Sequence, residues 1–348
     1  MLGEEAQTSA ELPLERLASY LAEQAVPTSS LTAQLISGGR SNLTYRLRAE
    51  TGQGVEQWIL RRPPLGHVLA TAHDMGREFR VISALGSTEV PVPAAILACE
   101  DSAVIGAPFF IMEHVEGDIV RTTPSLLALG EQGRQAGNSL VDVLAALHAV
   151  DADAVGLGDF GRPVGFMARQ VRRWTAQLAA SRNRELPGLD ELADALAGDV
   201  PQRTESSLIH GDYRLDNCVL HAGSVVSVLD WEMATLGDPL ADVALFAIYT
   251  GGFSEFDNDV IHSPAGVGSF PATSELLDRY VAATGHDLEN FSWYVGFAWF
   301  KLAVILEGIY YRSLLGKSAG DEFRGVAEAV PHAVERGRAA LFAGEWPR

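Results

Sequence analysis

Disulfide and zinc chemistry have little to work with in this chain. Cys99 and Cys218 are its only cysteines, they lie far apart, and neither sits in a CxxC or Cys/His spacing. Reduced thiols are expected. Positive charge is scarce too: Lys and Arg total 26 against 45 Asp and Glu, a formal net charge of −19, with no basic arm that reverses the balance locally. Such a field repels a phosphate backbone, which excludes a nucleic acid partner. The first thirty residues carry Glu4, Glu5, Glu11 and Glu15 and lack both a basic leader and an apolar h-region, so no secretory signal is expected. The longest apolar run, "WYVGFAWFKLAVILEGIYY", is interrupted by Lys301 and Glu307 and reads as a buried helix rather than a membrane span. Internal repeats and low-complexity tracts are missing as well. The expectation is a cytoplasmic protein with no membrane partner.

What is present suits an enzyme. With 348 residues, 47% of them hydrophobic and 20% charged, the chain can bury a large core, and its length predicts two domains or one two-lobed unit. An amphipathic start, "LPLERLASYLAEQ", leads into short alternating or β-branched segments: "LTAQLISGG", "NLTYRLRAE", "VEQWILRR", "AAILACE" and "APFFIMEHV". One helix interrupts these strands, "AHDMGREFRVISALG", with Met75, Phe79, Ile82 and Leu85 at helical spacing and Gly86 where a C-cap belongs. From Glu116 the texture turns helical, as in "GRQAGNSLVDVLAALHAV", "FMARQVRRWTAQLAAS", "TSELLDRYVAATG" and "GVAEAVPHAVERGRAALFAG". The expected organisation is a β-rich lobe over residues 1–115 and a mostly helical lobe over residues 116–348, an α+β fold.

Two polar loops break the helical half. "LIHGDYRLDNCVL" places Asp212 and Asn217 five residues apart, and "SVVSVLDWEMATLGDPLADVALF" ends an apolar strand at Asp230; a hairpin, "CVLHAGSVVSVLD", joins them. Phosphoryl transfer needs a carboxylate near the acceptor hydroxyl and two oxygen ligands for magnesium, and protein kinases carry an Asp, an Asn five residues on and a metal-binding Asp after a hairpin. The same order and spacing occur here. The alternative, an Asx-rich turn capped by its own side chains, needs three spaced residues and the hairpin to coincide.

On these residues the chain resembles the aminoglycoside phosphotransferase and choline kinase-like family, with "HGD", a following Asn and a downstream Asp. Within it the likeness is to phosphotransferase domains associated with acyl-CoA dehydrogenases, carried by "SGGRSNLTYRL", "WILRRPP", "REFRVISAL", "RQVRRW", "HGDYRLDN" and "LDWEMATLGDPLADVA". The resemblance implies a protein kinase-like two-lobed fold, ATP as co-substrate, Mg2+ as cofactor and a small-molecule substrate with an alcohol acceptor. Asp212 then stands where the catalytic base does, Asn217 and Asp230 where the magnesium ligands do, and His210 where a residue braces the loop. Asp238 caps a helix and Asp242 holds the loop backbone, with direct metal contact as the rival role for both. Glu232 faces solvent or approaches a metal.

The nucleotide side departs from the pattern. Kinases use a strand lysine paired with a helix glutamate; "WILRR" has no lysine, so Arg61 takes the position with Glu78 as partner, and Arg62 is its rival. Gly38, Gly39, Ser41 and Asn42 of "SGGRSN" would cover the phosphates, or form an ordinary Gly-Gly hairpin turn. Backbone groups from Glu113 to Val115 would meet an adenine edge. Arg169, Arg172 and Arg173 share one helix face and bind an anionic group such as a CoA phosphate, or pair with nearby carboxylates. The resemblance implies a hydroxyacyl-CoA acceptor. An aminoglycoside or choline-like amino alcohol is the alternative, with Glu255, Asp257, Asp259 and Asp278 as its acids, and Trp293, Tyr294, Trp299, Tyr310 and Tyr311 shape a pocket or pack the core. A non-catalytic nucleotide-binding pseudokinase is the second alternative. Oligomeric state is not legible.

Overall fold

The computed structural model describes residues 12–36, 42–64, 74–203, 205–253, 263–314 and 325–347. Two compact units emerge: the first runs to Glu116 and includes Ser227–Glu232, and the second comprises Gly117–Val226 and the chain from Met233 onward. The first unit thus takes back a six-residue segment that a single boundary near residue 115 does not anticipate.

The first unit is an antiparallel sheet with helices. In chain order it comprises α1 (Leu14–Glu23), β1 (Ser30–Leu35), β2 (Leu43–Thr51), β3 (Gly54–Arg62), α2 (Met75–Leu85), β4 (Ala95–Cys99), the short α3 (Ser102–Ile105) and β5 (Phe109–Glu113), with strand order β1-β2-β3-β5-β4. Leu17 and Leu21 of α1, one helical turn apart, pack with Tyr45, Leu47, Trp58, Leu60, Phe109 and Ile111 into one core. Each such aliphatic side chain stabilises the fold by about 1.5–3 kcal/mol when buried. Because side chains alternate along a strand, Trp58, Leu60 and Arg62 of β3 share the face toward α1, and Arg61 takes the other. Asp74 starts α2 by accepting from Arg77 N at 2.9 Å, the capping arrangement that satisfies an orphan donor. Gly86 does end α2, but with φ −59° and a bond from its N–H to Ile82 O. It is a right-handed stop, and no left-handed glycine cap is needed there.

The second unit is built around α8 (Pro239–Gly251), which is almost wholly buried, and α10 (Phe291–Leu314), which is buried over most of its length up to Gly308. The others, in order, are α4 (Thr123–Leu127), α5 (Gly133–His148), α6 (Phe166–Ser181), α7 (Leu189–Gly198), α9 (Thr273–Thr284) and α11 (Val326–Ala343). By length and composition α10 is long and apolar enough to cross a membrane, yet 83% of its apolar window is buried inside the fold, as a core helix requires. The charge at Glu307 is answered internally: it accepts from Asn183 Nδ2 at 3.1 Å and from Arg184 Nε and Nη2 at 3.0 and 2.9 Å. Strands β6 (Ser207–Ile209) and β9 (Thr235–Gly237) pair antiparallel. Between them lies the hairpin of β7 (Cys218–His221) and β8 (Ser224–Val228). Its turn has Ala222 at φ 49° and Gly223 at φ 77°, the two consecutive positive values of a type I′ turn. Cys99 and Cys218 are both free and buried.

Candidate active site

The catalytic loop is held by its backbone before any side chain acts. Gly211 has φ +83°, and a Cβ there would lie 2.8 Å from Met233 O, so only glycine fits. The N–H groups of His210 and Gly211 donate to Asp242 Oδ2 and Oδ1 at 2.6 and 2.7 Å. Asp242 is fully buried. Burial pushes its carboxyl up, but His148 and these donors outweigh that and hold it below the usual carboxylate range. From α10, Lys301 Nζ donates to Gly211 O at 2.8 Å. His210 Nδ1 accepts from Asp212 N at 3.2 Å, with its ring edge-on to Tyr213. The loop preceding Asp212 is therefore fixed from both helices.

Asp212 and Asn217 are brought together. Asn217 Nδ2 donates to the backbone oxygen of Asp212 at 2.9 Å and to Asp212 Oδ2 at 3.1 Å. This orients the carboxylate and leaves Oδ1 without a hydrogen bond from any described residue. Burial raises the Asp212 carboxyl above its ordinary value, opposed by the positive charges of Arg214, Lys301 and His210. Asp238 caps α8 through Leu240 N at 3.0 Å and accepts from Tyr294 Oη at 2.5 Å, so its oxygens are engaged structurally.

The first unit brings Arg61, Glu78 and Asp230 together. Arg61 lies 2.7 Å from Glu78 and 3.1 Å from Asp230. Strand alternation separates the two rival arginines: Arg62 turns to the other face, donating to Tyr45 Oη at 3.1 Å and Ile105 O at 3.5 Å. Burial pushes Glu78 up to about 7 against the pull of Arg61, while Glu78 and Asp230 together outweigh burial and hold Arg61 more firmly charged. Asp230 sits at φ +65°, a left-handed conformation that costs energy for a side-chain-bearing residue and that concentrates at functional sites.

Other expected residues are placed less directly. Asn42 is buried with neither side-chain atom bonded to a described residue; Gly38, Gly39 and Ser41 lie outside the described residues. The N–H groups of Glu113 and His114 bond Ala94 O and Gln57 O at 2.9 and 3.1 Å, so these two donors are taken up within the first unit. Arg169 bonds the backbone oxygens of Arg162 and Val164 and so closes the start of α6. Arg172 and Arg173 are exposed, and no ion pair joins either to a described residue. Glu255, Asp257 and Asp259 lie outside the described residues, and Asp278 is exposed on α9. Trp293, Tyr294 and Trp299 are core residues of α10.

Magnesium takes hard oxygen donors and keeps several from water and phosphate. Asn217 engages only its Nδ2, which leaves Oδ1 as a donor, and the Asp230 side chain is 38% exposed. Each fits that ion. Among the described residues, no three or more His, Cys, Asp and Glu side chains cluster as a metal cage. Sequence reasoning missed Lys301. Its signal was rarity, since the chain has two lysines and the first is inside an apolar helix.

A model of the phosphotransferase enzyme family matches residues 32–291. The chain belongs to this phosphotransferase family. It is 34% identical over 319 residues to acyl-CoA dehydrogenase family member 11 of Gallus gallus, which covers 89% of the chain and 40% of that protein. It is 37% identical over 292 residues to family member 10 of Mus musculus, covering 81% and 26%. The chain thus spans less than half the length of these relatives. Among solved structures, a candidate aminoglycoside phosphotransferase from Ralstonia eutropha aligns with TM-score 0.80 at 30% identity, over 95% of this chain and 98% of that one. A thermostable aminoglycoside phosphotransferase mutant in complex with AMP-PNP and hygromycin B aligns with TM-score 0.59 at 17% identity, over 94% and 98%. That second likeness concerns the fold alone. The kinase-like α+β architecture of the phosphotransferase family is therefore that of this chain.

Proposed function

We propose that this phosphotransferase moves the γ-phosphoryl group of ATP to an alcohol hydroxyl with magnesium as cofactor, and that its acceptor is a hydroxyacyl-CoA. The observation that carries the reading is the orientation of Asp212 by Asn217, because catalysis of this kind rests on positioning and charge. In the reaction the acceptor oxygen attacks the γ-phosphorus, the new O–P bond forms as the bond to the β,γ-bridging oxygen breaks, ADP leaves, and the hydroxyl proton passes to Asp212. Asn217 and Asp230 would each offer an oxygen to magnesium, which would supply neutralisation of charge on the phosphates. Arg61, kept in place by Glu78, would clamp phosphate oxygens with its planar guanidinium where kinases use a lysine.

Two facts favour the acyl-CoA acceptor over an amino alcohol. The relatives are named for acyl-CoA dehydrogenases, and Arg172 and Arg173 are exposed without a carboxylate partner among the described residues, as an anion-binding face requires. The test is magnesium-dependent ADP release with 3- and 4-hydroxyacyl-CoAs, kanamycin, choline and homoserine, each repeated with Asp212→Ala. We expect stimulation by a hydroxyacyl-CoA and a loss of at least about 10³-fold in the variant, with nucleotide binding retained. Undiminished turnover in Asp212→Ala would remove the assigned base. Silence across the panel with ATP bound would point first to an acceptor outside the panel and second to the non-catalytic reading.

A further inference from the structure

One recess in the second unit is not used by the chemistry above. It has a volume of about 60 Å³, room for a few carbon-sized groups. Its apolar walls come from Leu126 of α4, Leu140 of α5, Leu215 of the catalytic loop and Phe246 of α8. Two charged residues of the loop also line it, but they answer each other: Arg214 is ion-paired with Asp216, and its guanidinium lies 4.9 Å over the Tyr249 ring. Arg121 adds a further positive charge at an exposed position of the lining. Two guanidiniums against one carboxylate leave the wall net positive.

That balance selects an occupant. A cationic acceptor meets no unpaired carboxylate in the lining, whereas an apolar chain meets leucine and phenylalanine. The recess adjoins the base, since Arg214, Leu215 and Asp216 follow Asp212 closely in the loop and Asp212 is within electrostatic reach of Arg214 and Tyr249.

We propose that the recess holds the alkyl chain of the hydroxyacyl acceptor, on the far side of the hydroxyl-bearing carbon from its thioester, and so sets the chain length that is phosphorylated. The inference rests on the hydroxyacyl reading above. Its test is kcat/KM for a series of hydroxyacyl-CoAs with the hydroxyl fixed and the tail lengthened one carbon at a time. Each methylene that enters should raise kcat/KM by about three- to fourfold, with a plateau after roughly the first four. Leu126→Trp fills the recess and should flatten the series. Should that variant not fold, Leu126→Ala widens the recess and should move the plateau to longer chains.

The two readings fail differently. A wild-type series that is active but flat in chain length, or a preference for choline or kanamycin, overturns the recess and leaves phosphoryl transfer standing. If no acceptor is turned over, calorimetric binding of the same series decides. Affinity that rises with tail length and is flattened by Leu126→Trp supports the recess while overturning the reaction, and affinity indifferent to tail length overturns the recess.

Discussion

Replacing Asp242 by asparagine keeps the side chain's size and removes one acceptor. In the native loop each carboxylate oxygen takes one N–H, from His210 and Gly211, at 2.6 and 2.7 Å in a fully buried site. An amide offers a single acceptor oxygen there, and its NH2 must face the other backbone donor. A hydrogen bond to a charged group contributes about 1.5–3 kcal/mol, and a buried donor left unmade costs about 1–3 kcal/mol. These overlap, so Asp242→Asn should destabilise by about 2–4 kcal/mol. Asp242→Ala orphans both donors and should cost more, about 3–6 kcal/mol, which approaches the total stability of an ordinary domain. The asparagine variant is therefore the useful one. The released N–H belongs to the residue before Asp212 or to the one before that, and displacement of a catalytic group by about 1 Å costs on the order of a hundredfold. Urea unfolding gives the first quantity. Acceptor-stimulated ADP release together with nucleotide affinity gives the second, with kcat expected to fall about a hundredfold and affinity for ATP to change less than about threefold. A variant within about 1 kcal/mol of wild type that also keeps its kcat would refute the account of how the loop is held.

Gly211→Ala should lose about 2 kcal/mol or more and most of its turnover, because it combines a left-handed φ with a contact to Met233 O; Gly52→Ala, where an added Cβ meets nothing within 4 Å, serves as the control. Lys301→Met keeps an apolar stem and removes both a costly buried charge and the bond to Gly211 O, so stability should stay within about 1 kcal/mol while turnover falls at least about tenfold. Equal losses in both, or unchanged turnover, would show that the lysine does not position the loop. Glu78 holds its proton more tightly folded than unfolded, since burial moves it from 4.5 to about 7. Its contribution therefore favours the fold at low pH and is lost as pH rises through that interval, by up to about 3 kcal/mol. Urea melts at several pH values should show this slope in wild type and not in Glu78→Gln; parallel curves would contradict it.

Local rules carried the sequence a long way. The strand alternation that separates Arg61 from Arg62, and the one-turn spacings that bury α2, act over a few residues, so the Arg61–Glu78 pair was readable from register and helical period. The loop from His210 to Asn217 was readable because its spacing is fixed by the backbone it must cap. Lys301 was not, since its partner Gly211 lies 90 residues earlier and no periodicity links an apolar helix to a loop oxygen. The same holds for the Arg214–Asp216 pair. Both residues stood in plain view in "HGDYRLDN", but only the arrival of α4 and α8 makes them a pocket wall. The use made of the N–H groups near Glu113 was not legible for another reason. Backbone donors at a strand's end go to whichever neighbour pairs with it, and here Ala94 and Gln57 accept those of Glu113 and His114.

The segment Ser227–Glu232, counted with the first unit, bears on how the chain is made. A ribosome delivers Glu116 and must add another 116 residues before Glu232 appears, which takes on the order of ten seconds at ordinary elongation rates. Through that interval the nascent sheet carries Arg61 and Glu78 but lacks Asp230, 169 residues downstream of its arginine. The first unit is thus completed by the second one's synthesis. Cutting the chain once, after residue 116, separates Arg61 from one of its two carboxylates, however well the sheet itself folds.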